Sequence, residues 1–257
     1  MGAVRQIHGG WGSVTVLVDD EHIYRFARNP GVAAAHRREF ALLPLLAKAL
    51  SVRVPEPDFF GDWGDETCLG YPLIKGRPCT AADDWRSLAG VLRELHAVPV
   101  TGLDDDWRGS YERLDIGRVL PVLDRDLADT LTREYDRFLS GGWDFTPVLV
   151  HRDLAAEHIL VDDAGHVVGL IDFEDAALGD PAVDFAGLVP VLGWDRVDDL
   201  ITAYGRPVDR DRLWVYWWLV PVHELLHGLA TGDETIVTAA KAELRARLSA
   251  AGPARGG

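Results

Sequence analysis

The stretch VLVHRDLAAEHILVD, residues 148 to 162, decides how the chain is read. A short apolar run, Val148-Leu149-Val150, ends in His151-Arg152-Asp153, and a second, Ile159-Leu160-Val161, begins directly after His158. Short aliphatic runs bounded by polar residues read as strands. An Asp delivered to the end of a strand stands in a loop, where it can reach a substrate hydroxyl as a general base. The segment LIDFEDAALGDPAVDF, residues 170 to 185, repeats the device, with Asp172 closing another apolar run. Between the two, DDAGH is a turn that folds the strands side by side and brings His158 toward Asp172. An imidazole and a carboxylate at that place suit a magnesium ion on nucleotide phosphates.

Taken together, HRDLAAEHILVD and LIDFEDAALGDPAVDF resemble the catalytic core of the aminoglycoside phosphotransferase family, near its macrolide phosphotransferase and aminoglycoside 2''-phosphotransferase branches. The family pattern, H-x-D-x-x-x-x-[NH] and then I-D-[FW] nineteen residues past the first Asp, is matched position by position. The resemblance implies an α+β, two-lobed protein-kinase-like fold, with a small antiparallel β-rich lobe and a larger helical lobe. It implies Asp153 as catalytic base, His158 and Asp172 as Mg²⁺ ligands, and ATP or GTP as phosphoryl donor. Asp184 resembles the buried Asp that braces the catalytic loop, and His151 is expected to brace the same loop.

The N-terminal part fits this frame. VTVLV (14–18) and HIYRF (22–26) flank Asp19-Asp20-Glu21 as a hairpin, and a helix is expected from 32 to 50 with Phe40, Leu43 and Leu46 on one face and a kink at Pro44. Strands are expected in VRVPEPDFFG (52–61) and CLGYPLIKGRP (68–78). GGWGSV, with Gly10, Gly12 and Ser13, lies where kinase-like folds lay a glycine-rich loop over phosphates, although Thr15 stands in place of the last glycine. Arg25 occupies the position of the family's phosphate-binding lysine and Glu39 that of its helix partner; a guanidinium still pairs with phosphate and carboxylate. In YPLIKGRP, the resemblance implies a hinge where the Pro72 carbonyl and Ile74 amide meet the purine. Domain limits follow as 1–76 for the nucleotide lobe, with the hinge at about 71–76, 77–249 for the helical lobe and acceptor site, and 250–257 as a flexible tail. In the helical lobe, Thr80 is expected to cap a helix running to His96, and residues 122 to 140 read as a second, charged helix.

Composition narrows the partners. The 257 residues carry 41 Asp and Glu against 26 Lys and Arg, a formal net charge of −15. Such a field repels nucleic acid and anionic membrane and concentrates a cationic ligand. Two cysteines, Cys68 and Cys79, make no disulfide framework. With no transmembrane-length apolar window and no signal-peptide pattern, a cytoplasmic monomer is expected. The acceptor is expected to be a small-molecule hydroxyl on a cationic antibiotic. An aminoglycoside stands first, with resistance as the consequence, and Glu157, Glu174 and Asp175 meet its ammonium groups. A macrolide, a peptide antibiotic or a small metabolite alcohol stands as the alternative, because the 100–145 region is short for this family.

One rival motif remains. HELLH, residues 223 to 227, has the H-E-x-x-H form of a zinc hydrolase, with Asp233 as third ligand. In the phosphotransferase reading the same helix walls the acceptor site, so His223, Glu224 and His227 are candidate substrate contacts. Trp214 and Trp218 share a helix face at core spacing, with Trp218 also open to a stacking role.

Overall fold

The computed structural model describes residues 3–7, 12–64, 66–103, 107–141 and 143–250. Strands β1 (Val4–Ile7), β2 (Ser13–Val18), β3 (His22–Ala27), β4 (Phe59–Trp63) and β5 (Glu66–Pro72) form an antiparallel sheet in the order β1-β2-β3-β5-β4. The β2–β3 hairpin turns on Asp19 and Asp20, both at φ 54, a left-handed conformation that Asp tolerates better than most residues. Alternation sends Ile23, Arg25 and Ala27 to the buried face of β3. Leu17, Ile23, Leu69 and Tyr71 make a small core there, and Arg25 is the charged exception.

Helix α1 (Pro30–Ala49) covers this sheet. Asn29 caps it, accepting from the Val32 amide at 3.1 Å, and Pro30 occupies the first helical turn, where no amide donor is needed. Its buried residues, Ala35, His36, Glu39, Leu42, Leu43 and Leu46, follow the helical period. Phe40 departs from the expected face: it points outward and stacks on Phe60 with ring centroids 4.9 Å apart. Residues 52–58 are not a strand either. Arg53 makes only an isolated bridge to Gly169, because two prolines deny that stretch the amides a ladder needs.

The rest of the chain is mostly helical, around short strand pairs. β6 (Arg77–Pro78), β8 (Ile159–Val161) and β9 (Val167–Leu170) form one antiparallel ribbon, and β7 (Val148–Val150) pairs with β10 (Ala177–Gly179). Helices α2 (Arg86–Leu95), α3 (Trp107–Glu112) and α4 (Arg125–Ser140) precede β7. After it come α5 (Ala182–Ala186), α6 (Val189–Leu192), α7 (Trp194–Tyr204), α8 (Arg210–Thr231) and α9 (Glu234–Ser249). Thr80 does not cap α2. Its amide and hydroxyl instead donate to Asp83 at 2.7 and 2.9 Å, and Asp83 also receives Arg77, so the helix starts only at Arg86.

This helical part holds the main core, with Leu88, Leu92, Leu131, Leu149, Phe173, Phe185 and Trp218 fully buried. The loop between β7 and β8 lies against it through a close approach at the end of α5. An added Cβ on Gly187 would collide with the carbonyl of Leu154, the residue after Asp153. Gly187→Ala is therefore expected to destabilise the protein by about 1–3 kcal/mol, as overpacking does. Urea unfolding should show the lower midpoint at unchanged slope.

Candidate active site

One buried carboxylate organises the catalytic loop. Asp184, on α5, is fully buried and accepts from the amides of His151 and Arg152 at 2.9 and 2.8 Å and from His96 Nε2 at 3.0 Å. Those bonds hold Arg152 at φ 72, a left-handed conformation costing a non-glycine residue about 1–2 kcal/mol. The next residue, Asp153, is thereby turned into the cleft. His151 completes the brace. Its Nε2–H donates to the Ile171 carbonyl at 2.9 Å, tying this loop to the strand end that carries Asp172. Burial holds the His151 imidazole below its ordinary range, so it is a neutral strut.

His158 and Asp172 meet across this brace. The His158 Nδ1–H donates to the Asp153 carbonyl at 2.6 Å, which leaves the Nε2 lone pair facing Asp172 Oδ2 at 3.7 Å. The backbone bond fixes the ring so that Nε2 and the carboxylate point into one space, the arrangement that orients metal-binding histidines. Asp172 is also at positive φ, 68°. Burial acts to raise its pKa, but the charge of the Arg25 guanidinium that donates to it outweighs burial and keeps the group below the usual carboxylate range, ionised as a metal ligand must be.

Arg25 joins the β-sheet to this site. It donates to both oxygens of Glu39 at 3.1 and 2.9 Å, to Asp172 Oδ1 at 2.7 Å and to Glu174. Glu39 in turn accepts from the Phe173 amide at 3.1 Å. One guanidinium thus faces three carboxylates. Burial pushes Glu39 and Glu174 each up to about 7, even against the pull of Arg25. Oxygens of Glu39, Asp172 and Glu174 lie within 4.8 Å of one another, so surplus negative charge at this end of the cleft suits a divalent cation. Glu174 is therefore placed otherwise than expected: it serves Arg25, beneath Gly12, rather than an acceptor's amine.

An added Cβ on Gly12 would come within 2.9 Å of Glu174 Oε1, so the glycine permits this closeness. Ser13 is buried and its hydroxyl bonds His36 Nε2 at 2.8 Å, which anchors the strand to α1 instead of offering a free donor. Gly10 lies outside the described residues. Beyond Pro72, the Leu73 amide donates to the Glu21 carbonyl at 2.6 Å, and Ile74 packs half-buried beside Gly169.

On the other side of Asp153 the surface is open but concave. The Asp153 side chain keeps 58% of its accessible surface, yet surrounding protein pushes its carboxyl up to about 6, with Asp175, Asp172 and Glu157 adding to the rise against His158. Glu157 and Asp175 are exposed nearby. His223, on α8, is solvent-reached in the same cleft; crowding by protein, then the charge of Arg152, holds its imidazole down to about 4 against Asp175. Glu224 faces elsewhere, toward Arg247 and Glu243 of α9, and burial raises it. His227 is half-buried one turn on. Asp233 caps α9, accepting from the Thr235 and Ile236 amides at 2.9 and 3.2 Å, so it is not a zinc ligand in waiting. Among the described residues, neither His223 nor His227 joins two further potential ligands within metal-binding reach. Trp218 is fully buried, 6.1 Å from the ring of Trp214, and presents no face to a ligand.

A family model described as "Phosphotransferase enzyme family" matches residues 3–218. The chain belongs to that family. The GDP and kanamycin complex of APH(2")-IIia superposes with a TM-score of 0.85 at 25% identity, covering 95% of this chain and 92% of that one. The macrolide 2'-phosphotransferase MphH of Brachybacterium faecium, as apoenzyme, superposes at 0.70 with 26% identity, over 94% and 91% of the two chains. The uncharacterized protein YcbJ of Bacillus subtilis (strain 168) is 25% identical over 212 residues, 72% of this chain and 67% of its own length. The architecture is the two-lobed, kinase-like phosphotransferase fold.

Sequence reasoning overlooks several residues of this phosphotransferase. Asp180 is buried and binds Arg212, with the Tyr216 hydroxyl donating to it at 3.1 Å. Trp107 Nε1–H donates to that Tyr216 oxygen at 3.1 Å, and Arg152 lies over the Trp107 ring. The first Asp of DPAVDF and the arginine beside Asp153 are the signals the sequence offers. For the loop itself, Asp184→Ala strands three buried donors. It is expected to cost at least about 3 kcal/mol. A urea melt reads the loss directly.

Proposed function

We propose that this chain transfers the γ-phosphoryl group of ATP or GTP to a hydroxyl of an amine-bearing small molecule. One observation carries the reading. His158, with its Nδ1–H bound to the Asp153 carbonyl, turns its Nε2 lone pair toward an ionised Asp172 that also touches Arg25. A divalent cation held by His158 and Asp172 would offset the charge of the nucleotide phosphates. Arg25, kept in place by Glu39, faces the same end and is suited to a phosphate oxygen. Asp153 then accepts a hydrogen bond from the acceptor hydroxyl, aligns its oxygen for in-line attack and takes its proton. We place the hinge between the nucleotide and helical lobes near residues 71–76, where the Pro72 carbonyl and Ile74 amide would meet the purine.

The acceptor class draws support from two sides. A structural neighbour holds GDP with kanamycin and another is a macrolide 2'-phosphotransferase, both acting on antibiotics by their names. In this chain, the exposed Asp175 beside Asp153 and the net charge of −15 favour an ammonium group. Aminoglycosides therefore head the panel, followed by macrolides, peptide antibiotics and metabolite alcohols, and resistance would follow from modifying one of the antibiotics.

Nucleoside diphosphate release with ATP and GTP, plus magnesium, across that panel tests the reading. Asp153→Asn is expected to lower acceptor-dependent kcat by about 10²–10⁴-fold while ADP or GDP binding, measured by calorimetry, stays as in the wild type. Full turnover in the variant contradicts the role of Asp153. Because the Asp153 carboxyl is pushed up to about 6, the base is ionised above that pH and lost below it. The kcat/KM profile should therefore fall on the acid side with a midpoint near 6, a limb that Asp153→Asn lacks.

A further inference from the structure

Arg152 is set differently from the other well-packed arginines. Arg25 binds Glu39, Asp172 and Glu174; Arg212 binds Asp180 and Asp209; Arg247 binds Glu243. Arg152 is half-buried and has no carboxylate within ion-pairing distance among the described residues. Its guanidinium lies 5.1 Å from the centroid of the Trp107 ring, and among the described residues its side chain makes a single, long hydrogen bond, 3.4 Å to Ser110 Oγ. A cation taken partly out of water without an anion is costly, and stacking on an indole offsets only part of that cost.

The platform beneath it is rigid. The chain Asp180–Tyr216–Trp107 of hydrogen bonds fixes the indole, and Gly179 leaves it room that a Cβ would close. Asp184 fixes the backbone at φ 72. Trp107 and Ser110 belong to α3, so the guanidinium stands on the helical side of Asp153, while the phosphate-suited Arg25 stands on the sheet side. Asp175 and His223 border the same helical-side cleft. A planar guanidinium forks onto a carboxylate with two parallel hydrogen bonds, a geometry it shares with few other groups. A chain of net charge −15 repels a plain dianion but admits a molecule whose acid is balanced by an amine.

We propose that Arg152 is a specificity-determining residue that grips a carboxylate of the acceptor, so that the acceptor is a hydroxyl compound carrying an acid and an amine together, with Asp175 meeting the amine. This rests on the phosphotransferase reading above and narrows its acceptor from amine-bearing small molecules at large to zwitterions such as hydroxylated amino acids and peptides.

The test compares wild type, Arg152→Gly and Arg152→Lys. Glycine adopts φ 72 without strain, so Arg152→Gly removes the guanidinium while the thermal midpoint stays at or above that of wild type. The probes are L-serine, L-homoserine, 4-hydroxyproline and serine-ended dipeptides, each beside its amide, with kanamycin and a macrolide as polyamine and monoamine references. In wild type, kcat/KM for the free acids should exceed that for the amides by about 10- to 100-fold, the range of a charged hydrogen bond. Arg152→Gly should bring that ratio to about one by raising KM for the acids, and Arg152→Lys should restore part of it. A wild-type ratio near one overturns the proposal, as does preference for kanamycin or the macrolide. An equal loss of kcat for acid and amide in Arg152→Gly also overturns it, since the guanidinium would then serve the transferred phosphoryl group. Those results leave phosphotransfer standing. Only the absence of Asp153-dependent diphosphate release with every acceptor brings down both readings.

Discussion

Everything at this site hangs on the buried carboxylate of Asp184. Its two oxygens take the amides of His151 and Arg152 and the imidazole of His96, and His96 Nδ1 continues to the Tyr204 hydroxyl at 2.7 Å. A bare buried carboxylate would cost several kcal/mol, so the hydrogen bonds are what make it tolerable. Their geometric effect is larger than their net energy. They force Arg152 into a left-handed conformation, and that turn points Asp153 and Arg152 into the cleft from adjacent positions. Strain of this kind survives only where the surrounding structure over-determines it. The core supplies that constraint through Phe185, Leu154 and the close approach at Gly187.

The second organising feature is charge. At the sheet end, Arg25 is outnumbered by Glu39, Asp172 and Glu174, and burial raises two of the three carboxyls. At the helical end, Arg152 stands with an indole and a serine but no carboxylate among the described residues. One end therefore has negative charge to spare, and the other holds a guanidinium that no carboxylate pairs with among the described residues. Asp153 lies between them, water-accessible but crowded enough that its carboxyl is pushed up to about 6. A phosphoryl donor brought in with a cation and an acceptor bearing an acid would complement the two ends, and both partners would be oriented before any bond changes.

Much of this was legible in the sequence because the decisive elements obey strong local rules. The β2–β3 hairpin has alternating residues around an Asp-Asp turn, and the catalytic ribbon sets short aliphatic runs at fixed distances from Asp153, His158 and Asp172. Elements without such rules escaped. β1 is an edge strand exposed along most of its length, so it shows no alternation. Helix α3 is too short for a period to emerge, although it carries Trp107 and Ser110. Helix α2 starts later than its sequence suggests because Thr80, which has the look of a cap, bonds Asp83 instead, and Asp83 also holds Arg77. Glu174 neighbours Asp172 and Asp175 in sequence, but the backbone turn at Asp172 sends its side chain to Arg25. Trp218 had the spacing of a core residue and is one, while HELLH has a zinc-site spacing but divides its side chains between the cleft and α9.

The most direct measurement of the central claim follows phosphorus itself. A ³¹P NMR spectrum of the enzyme with ATP or GTP, magnesium and an accepted substrate is predicted to show a new phosphomonoester resonance growing in step with nucleoside diphosphate. Diphosphate accompanied only by inorganic phosphate, or no loss of the γ resonance with any acceptor, would contradict the account.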